Sequence, residues 1–194
     1  MTGRDVVAIG TSWGGLDALR ILLHGLPADL DAAVVVAQHR AAASHPSAFR
    51  DMLGAVTLLT VCEAEDKQPL VHGHVFLAPP DYHLLVEGSH LALSVAEPVA
   101  FSRPSIDVLL ESAAESCRDR CVGVVLTGAN DDGARGLARI HDLGGAAVVQ
   151  DPASAERPAM PRAALAAVPD ARVAPLEEIA GVLVELCGQG KAAA

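Results

Sequence analysis

Val6-Val7-Ala8-Ile9-Gly10-Thr11-Ser12-Trp13-Gly14-Gly15 is the stretch on which the fold turns. Four apolar residues run without alternation into a glycine-rich turn, and residues 16–23 (LDALRILL) follow with helical composition. An unbroken apolar run of this length suits a strand buried on both faces, as in a parallel sheet covered by helices. The pattern returns at residues 33–37 (AVVVA), 122–126 (VGVVL) and 146–149 (AAVV). Between the last two lies a helical stretch, residues 134–143 (ARGLARIHDL). Residues 105–117 (SIDVLLESAAESC) place Ile106, Leu109, Leu110 and Ala113 on one helix face. Alternation of strand and helix predicts an α/β fold with a parallel sheet. One region breaks the rhythm. Residues 74–77 (HVFL), 83–86 (HLLV) and 91–94 (LALS), joined by Pro79-Pro80-Asp81 and Glu87-Gly88-Ser89, predict a small antiparallel meander.

Composition sets the outer bounds. The 194 residues amount to one ordinary domain, and 51% hydrophobic content is ample for one packed core. Residues 1–187 are read as that domain and residues 188–194 (GQGKAAA) as a frayed tail. Fourteen Lys and Arg against 24 Asp and Glu leave a net charge of −10, and the chain has one Trp, one Tyr and three Phe. A nucleic-acid partner, which calls for a basic face and base-stacking rings, is therefore excluded. No segment reaches the roughly 18 apolar residues of a membrane span, so no membrane insertion is expected. The N-terminus lacks a basic n-region and a long apolar run, so it does not read as a signal peptide. Cys62, Cys117, Cys121 and Cys187 lack CxxC spacing and read as thiols of a reducing cytoplasm, not as a disulfide framework or a zinc site.

The chemistry collects at the ends of the buried runs. Gly10-Thr11-Ser12-Trp13-Gly14 fits the G-x-S-x-G elbow, in which a tight strand-to-helix turn lifts a serine hydroxyl above the sheet. The N–H groups opening the next helix then face developing negative charge. The same glycines also suit an anion site or a plain packing turn; the dinucleotide and P-loop patterns are not met. The second run ends in Gln38-His39 and the third leads into Asn130-Asp131-Asp132-Gly133. Open α/β sheets bind ligands at the carboxyl ends of their strands. A hydroxyl, an imidazole to take its proton and an acid to orient the imidazole can therefore converge on one edge. The order Ser, His, Asp differs from that of the α/β-hydrolases. Spacing does not choose between Asp131 and Asp132. His72 and His74 would share a strand face and, with His83, invite a metal reading, which is set aside. Arg103 and Asp107 read as anchors of the following helix rather than cleft residues. His24, His45, His90 and His141 read as surface residues.

Over residues 6–186 the chain resembles the catalytic domain of CheB-type protein-glutamate methylesterases, the chemotaxis enzymes that demethylate receptor glutamates. The resemblance rests on Ile9-Gly-Thr-Ser-Trp-Gly-Gly15, Gln38-His39, Gly73-His-Val-Phe-Leu-Ala-Pro79, Arg103-Pro-Ser-Ile-Asp107 and Leu126-Thr-Gly-Ala-Asn-Asp-Asp-Gly-Ala-Arg-Gly-Leu137. Gln150-Asp151 and Ala159-Met-Pro161 extend it. It implies a doubly wound, mostly parallel sheet with helices on both faces and a short antiparallel excursion. It also implies Ser12 as nucleophile, His39 as base and, between the two acids, Asp132. The N–H groups of Trp13 and of the Ala129–Asn130 loop are the expected oxyanion and substrate-binding donors. No cofactor or metal is called for. The implied partner is the methylated cytoplasmic segment of a chemoreceptor or a similar methylated protein, with glutamine deamidation as a second activity.

Three positions depart from the family pattern. Trp13 stands where Thr is usual, Thr127-Gly128-Ala129-Asn130 replaces Thr-Gly-Met-Gly, and Arg40-Ala41 replaces Met-Pro. All bear on the mouth of the site and hence on substrate choice. With the first strand at Val6, no receiver domain is expected ahead of it, and any phosphorylation control would come from a separate chain. A different serine esterase and an inactive binding module stay open beside the methylesterase reading.

Overall fold

The computed structural model describes residues 5–40 and 46–188. Seven strands form one parallel sheet: β1 (Val6–Thr11), β2 (Ala33–Gln38), β3 (Thr60–Glu63), β4 (His74–Leu77), β7 (Cys121–Val125), β8 (Ala146–Gln150) and β9 (Arg172–Ala174). Their spatial order is β3-β4-β2-β1-β7-β8-β9. The chain winds outward from β1 in one direction through β2, then restarts on the other side of β1 with β7. That reversal is a topological switch point, where open α/β sheets place their ligands. Strands β5 (His83–Glu87) and β6 (His90–Ser94) form a separate antiparallel hairpin.

Residues alternate between two cores. On one face Val7, Ile9, Val34, Val36, Val122 and Val124 pack with α1 (Gly15–His24), α2 (Pro46–Gly54) and α6 (Leu176–Gly188). On the other, Ala8, Val35, Ala37, Phe76, Val125 and Val149 pack with α3 (Ile106–Cys117), α4 (Ala134–Asp142), α5 (Ala159–Ala167) and the hairpin. Burial on both faces is why the inner strands read as unbroken apolar runs.

The expected meander is corrected at its first strand. β4 pairs in parallel with β2 and with β3, so residues 74–77 belong to the main sheet and only a two-stranded hairpin remains outside it. Turn residues between β4 and β5 mark a change of direction, but not which strand β4 bonds to. Helix α6 runs to Gly188, and residues 189–194 of the expected tail lie outside the described residues. Among the described residues no helix is long and apolar enough to cross a membrane.

Candidate active site

Strand β1 ends against the first turn of α3. A Cβ on Gly10 would fall 2.0 Å from Ile106 Cγ2, and one on Gly133, which has φ +99°, would fall 2.6 Å from the same atom. Ile106 is thus wedged between two glycines, and only their bare backbones let the β1 turn, α3 and α4 meet. The turn after β1 is fixed by its own hydrogen bonds: Ser12 N–H donates to Thr127 O (3.0 Å) and Gly15 N–H to Ser12 O (3.0 Å), with Gly14 left-handed at φ +78°.

The three side chains singled out at strand ends meet. His39 Nδ1 lies 3.1 Å from Ser12 Oγ, and His39 Nε2 lies 2.8 Å from Asp132 Oδ2. Asp132 is buried and accepts three more hydrogen bonds. Ile106 N–H donates to Oδ2 (2.8 Å), while Asp107 N–H (2.8 Å) and Ser105 Oγ (3.0 Å) donate to Oδ1. All three donors belong to the N-terminus of α3, whose unpaired N–H groups favour a negative charge. Burial pushes the Asp132 pKa up, but the His39 hydrogen bond and the Asp107 and Ile106 N–H groups outweigh it and hold the carboxyl below its ordinary value. An ionised carboxylate only accepts, so the His39 proton sits on Nε2 and Nδ1 is left to accept from the Ser12 hydroxyl.

The cap is reciprocal. Asp107, inside α3, accepts at Oδ1 from Gly133 N–H (2.9 Å) and Gly136 N–H (2.8 Å) at the start of α4. Asp132, just before α4, caps α3. Burial raises the Asp107 pKa, the Gly136 and Gly133 donors and Arg135 oppose it, and the Asp132 charge adds to the rise. Asp107 thus anchors a helix, α4, whereas Arg103, read with it as an anchor rather than a cleft residue, lines the same cleft as His39. Asp131 is exposed at the same turn.

A second layer of buried polar groups holds the strand ends in register. Gln38 Nε2 donates to Ser12 O (2.7 Å) and His39 O (3.0 Å). Thr127 Oγ1 donates to Trp13 O (2.9 Å) and accepts from Arg157 N–H (2.9 Å), and Thr127 N–H donates to Gln150 Oε1 (2.9 Å). Thr11, Gln38, Thr127 and Gln150 each end an apolar run of the sheet, and that is the signal by which they could have been found.

Trp13 is 58% exposed. Its indole Nε1 donates to Glu156 Oε1 (2.8 Å), and the Arg157 guanidinium lies 5.2 Å from the ring centroid, so the β8–α5 loop holds the ring. Its N–H donates to no described residue. Ala129 is exposed and Asn130 half-buried on the loop after Thr127, next to the Ser12 turn, and Asn130 Oδ1 is buried without a partner among the described residues. Arg40 is turned inward: its Nη2 donates to Ala78 O (2.7 Å) and its guanidinium lies 4.4 Å from the Phe49 ring centroid. Ala41 and His45 lie outside the described residues. The remaining histidines do not gather. His72 faces Asp31 (3.0 Å), His74 stacks on Phe76, and buried His83 faces Ser105 and Glu97. Among the described residues no three metal-ligating side chains cluster.

The fold is of the α/β class, and the Ser–His–Asp series at its carboxyl edge has the order of contacts that a serine hydrolase uses. Comparison with known proteins places it more closely. The CheB methylesterase family profile matches residues 7–183, and the chain belongs to that family. A relative from Leptospira interrogans is 44% identical over 183 residues, covering 94% of each chain. A protein-glutamate methylesterase/protein-glutamine glutaminase from Rhizobium johnstonii is 39% identical over 183 residues, 92% of this chain and 50% of that longer protein. The crystal structure of the Thermotoga maritima CheB methylesterase catalytic domain superposes with a TM-score of 0.88 at 30% identity, covering 96% of this chain and 100% of that one. The doubly wound fold expected from the resemblance is thereby shown.

Proposed function

We propose that the protein removes methyl groups from glutamate γ-methyl esters of chemoreceptor cytoplasmic segments, with Ser12, His39 and Asp132 as its catalytic residues. The observation that carries the reading is the His39 ring, bridging the Ser12 hydroxyl at 3.1 Å and the Asp132 carboxylate at 2.8 Å. Ser12 Oγ attacks the ester carbonyl as His39 Nδ1 takes its proton, and Asp132 stabilises the imidazolium that forms. The oxyanion is received by the free N–H of Trp13 and by the Ala129–Asn130 loop. A single donor of this kind is worth about 3–4 kcal/mol in a serine protease. Collapse of the tetrahedral intermediate breaks the bond to the methoxy oxygen, which leaves as methanol with the proton from His39. Water, deprotonated by His39, then attacks the acyl-enzyme and releases the glutamate carboxylate and Ser12. With a glutamine side chain the same steps expel ammonia, so glutaminase activity belongs to the proposal. The catalytic unit extends to the end of α6 at Gly188, one residue past the expected boundary, and works in the cytoplasm, where its receptor segment lies.

Methanol release from a methyl-labelled receptor segment tests this directly. Ser12→Ala is expected to lower kcat by about 10⁴-fold or more. Since Ser12 Oγ bonds only to the His39 ring among the described residues, the substitution is expected to leave folding intact. Methanol release that survives it refutes the mechanism.

A further inference from the structure

Between β6 and α3 the chain forms a strap, residues 95–103, that walls one side of a cleft of about 300 Å³. His39, Asp81, Phe101, Ser102 and Arg103 are among the residues lining that cleft, so the proposed base opens into it. The tip of the strap is a two-residue hairpin. Val99 N–H donates to Ser102 O (3.1 Å) and Ser102 N–H to Val99 O (2.9 Å), with Ala100 at φ +48° and Phe101 at φ +63° between them. Two successive positive φ values are the mark of a type I′ turn, for which Asn-Gly is the ordinary sequence. Ala-Phe has no such preference, and a bulky residue in the left-handed region is strained.

The strain is held from below. Arg103 Nη1 donates to Val95 O (2.9 Å) and Ala96 O (3.0 Å), while its Nε and Nη2 donate to Asp81 Oδ1 (2.9 and 2.6 Å). His83 accepts from Ser105 N–H at Nδ1 (3.1 Å), so its Nε2 carries the proton given to Glu97 O (3.1 Å). Ser105 is also the residue whose hydroxyl donates to Asp132, so strap and candidate relay share an anchor. The phenyl ring gains nothing from this. Phe101 is 104% exposed, as much surface as a free side chain would show. A strained backbone that holds a bare aromatic ring beside the proposed base is unexplained by folding, and such an outlier points to function.

We propose that Phe101 is a specificity-determining residue: its ring packs against an apolar side chain flanking the methylated glutamyl residue and so selects protein esters over small ones. The inference rests on the methylesterase reading above. Phe101→Asn removes the ring while supplying a residue that favours the left-handed turn, and Phe101→Leu keeps an apolar contact. Each is assayed beside wild type on a methyl-labelled receptor segment and on p-nitrophenyl acetate, which carries no flanking side chain.

The expected result for Phe101→Asn is a drop in kcat/KM on the receptor segment of about tenfold or more, carried by KM, the size of a truncated aromatic contact. Small-ester turnover and thermal midpoint should be unchanged or higher, and Phe101→Leu should recover part of the loss. Receptor-segment kcat/KM within twofold of wild type overturns the inference, and so does an equal loss on both esters. Wild-type protein that leaves the receptor segment methylated while cleaving the small ester overturns the methylesterase reading, and this inference with it; the wild-type arm alone tells that outcome apart.

Discussion

Asp132 shows how much one carboxylate can carry. It orients His39 and also satisfies three donors at the start of α3. Asp132→Asn is nearly the same size, yet it offers an NH₂ group to a site built of donors. Turnover of methyl ester is expected to fall about 10⁴-fold, as in the protease substitution that imposes the wrong imidazole tautomer. Stability is expected to fall by about 3 kcal/mol, because buried donors lose a charged acceptor. For a chain of this size that is a fall of roughly 6–12 °C in Tm. The pH dependence has a definite sign. The native pKa of Asp132 lies below its unfolded value, so its contribution is fully present above the unfolded value, about 3.9, and fades as pH falls through the native one. The gap in Tm between wild type and Asp132→Asn should hold from pH 8 to about 5 and close below pH 4; a gap that widens in acid contradicts the assignment.

At the scale of elements, the junction of β1, α3 and α4 depends on the absence of a side chain at Gly10. Gly10→Ala would place its Cβ 2.0 Å from Ile106 Cγ2, a clash the first turn of α3 must absorb by moving. Overpacking of this kind costs about 1–3 kcal/mol, and activity should fall with it because Ile106 N–H holds Asp132. Ile106→Ala removes the struck methyl group at its own cavity cost. The double variant should then be more stable than the sum of the singles by about 1 kcal/mol or more, read from denaturant midpoints. Additivity would show that the contact is not where the strain resides. The junction also marks how far the sequence could be read. The inner strands β1, β2, β7 and β8 announced themselves because burial on both faces demands unbroken apolar runs. Edge strands carry no such demand: β3 is four residues, none of them buried, and β9 is three. The partners of β4 are set by pairings distant in sequence, which local turn residues do not encode. Ser12, His39 and the acidic pair were legible as strand-end residues, whereas the choice of Asp132 needed the family pattern. The four donors on Asp132 had no local signature, since all come from stretches of chain distant in sequence, and the left-handed Ala100-Phe101 turn lacks the Asn-Gly pair that would have announced it.

Across the whole molecule, the site is an agreement among strands that the chain visits far apart. Thr127 is where that agreement is closed. Its carbonyl accepts from Ser12 N–H and from Thr11 Oγ1, its N–H reaches Gln150, and its hydroxyl joins Trp13 O to Arg157 N–H. One residue thereby ties the Ser12 turn after β1 to β8 and to the loop that holds the Trp13 ring. Thr127→Val keeps the shape and removes only the hydroxyl, leaving Trp13 C=O and Arg157 N–H without their partner. Two stranded backbone groups cost about 2–4 kcal/mol together, a fall of roughly 4–16 °C in Tm. The functional effect is distinct from the loss of stability. The peptide plane that carries Trp13 O is adjacent to the Trp13 N–H proposed to receive the oxyanion, so loosening it should lower kcat about tenfold at temperatures where the variant is fully folded, with little change in KM. The folded fraction by circular dichroism, measured beside methanol release at 20 °C, separates the two effects. Full kcat in a folded but less stable Thr127→Val protein would make Thr127 a purely structural tie and would move the oxyanion donors away from the Trp13 turn.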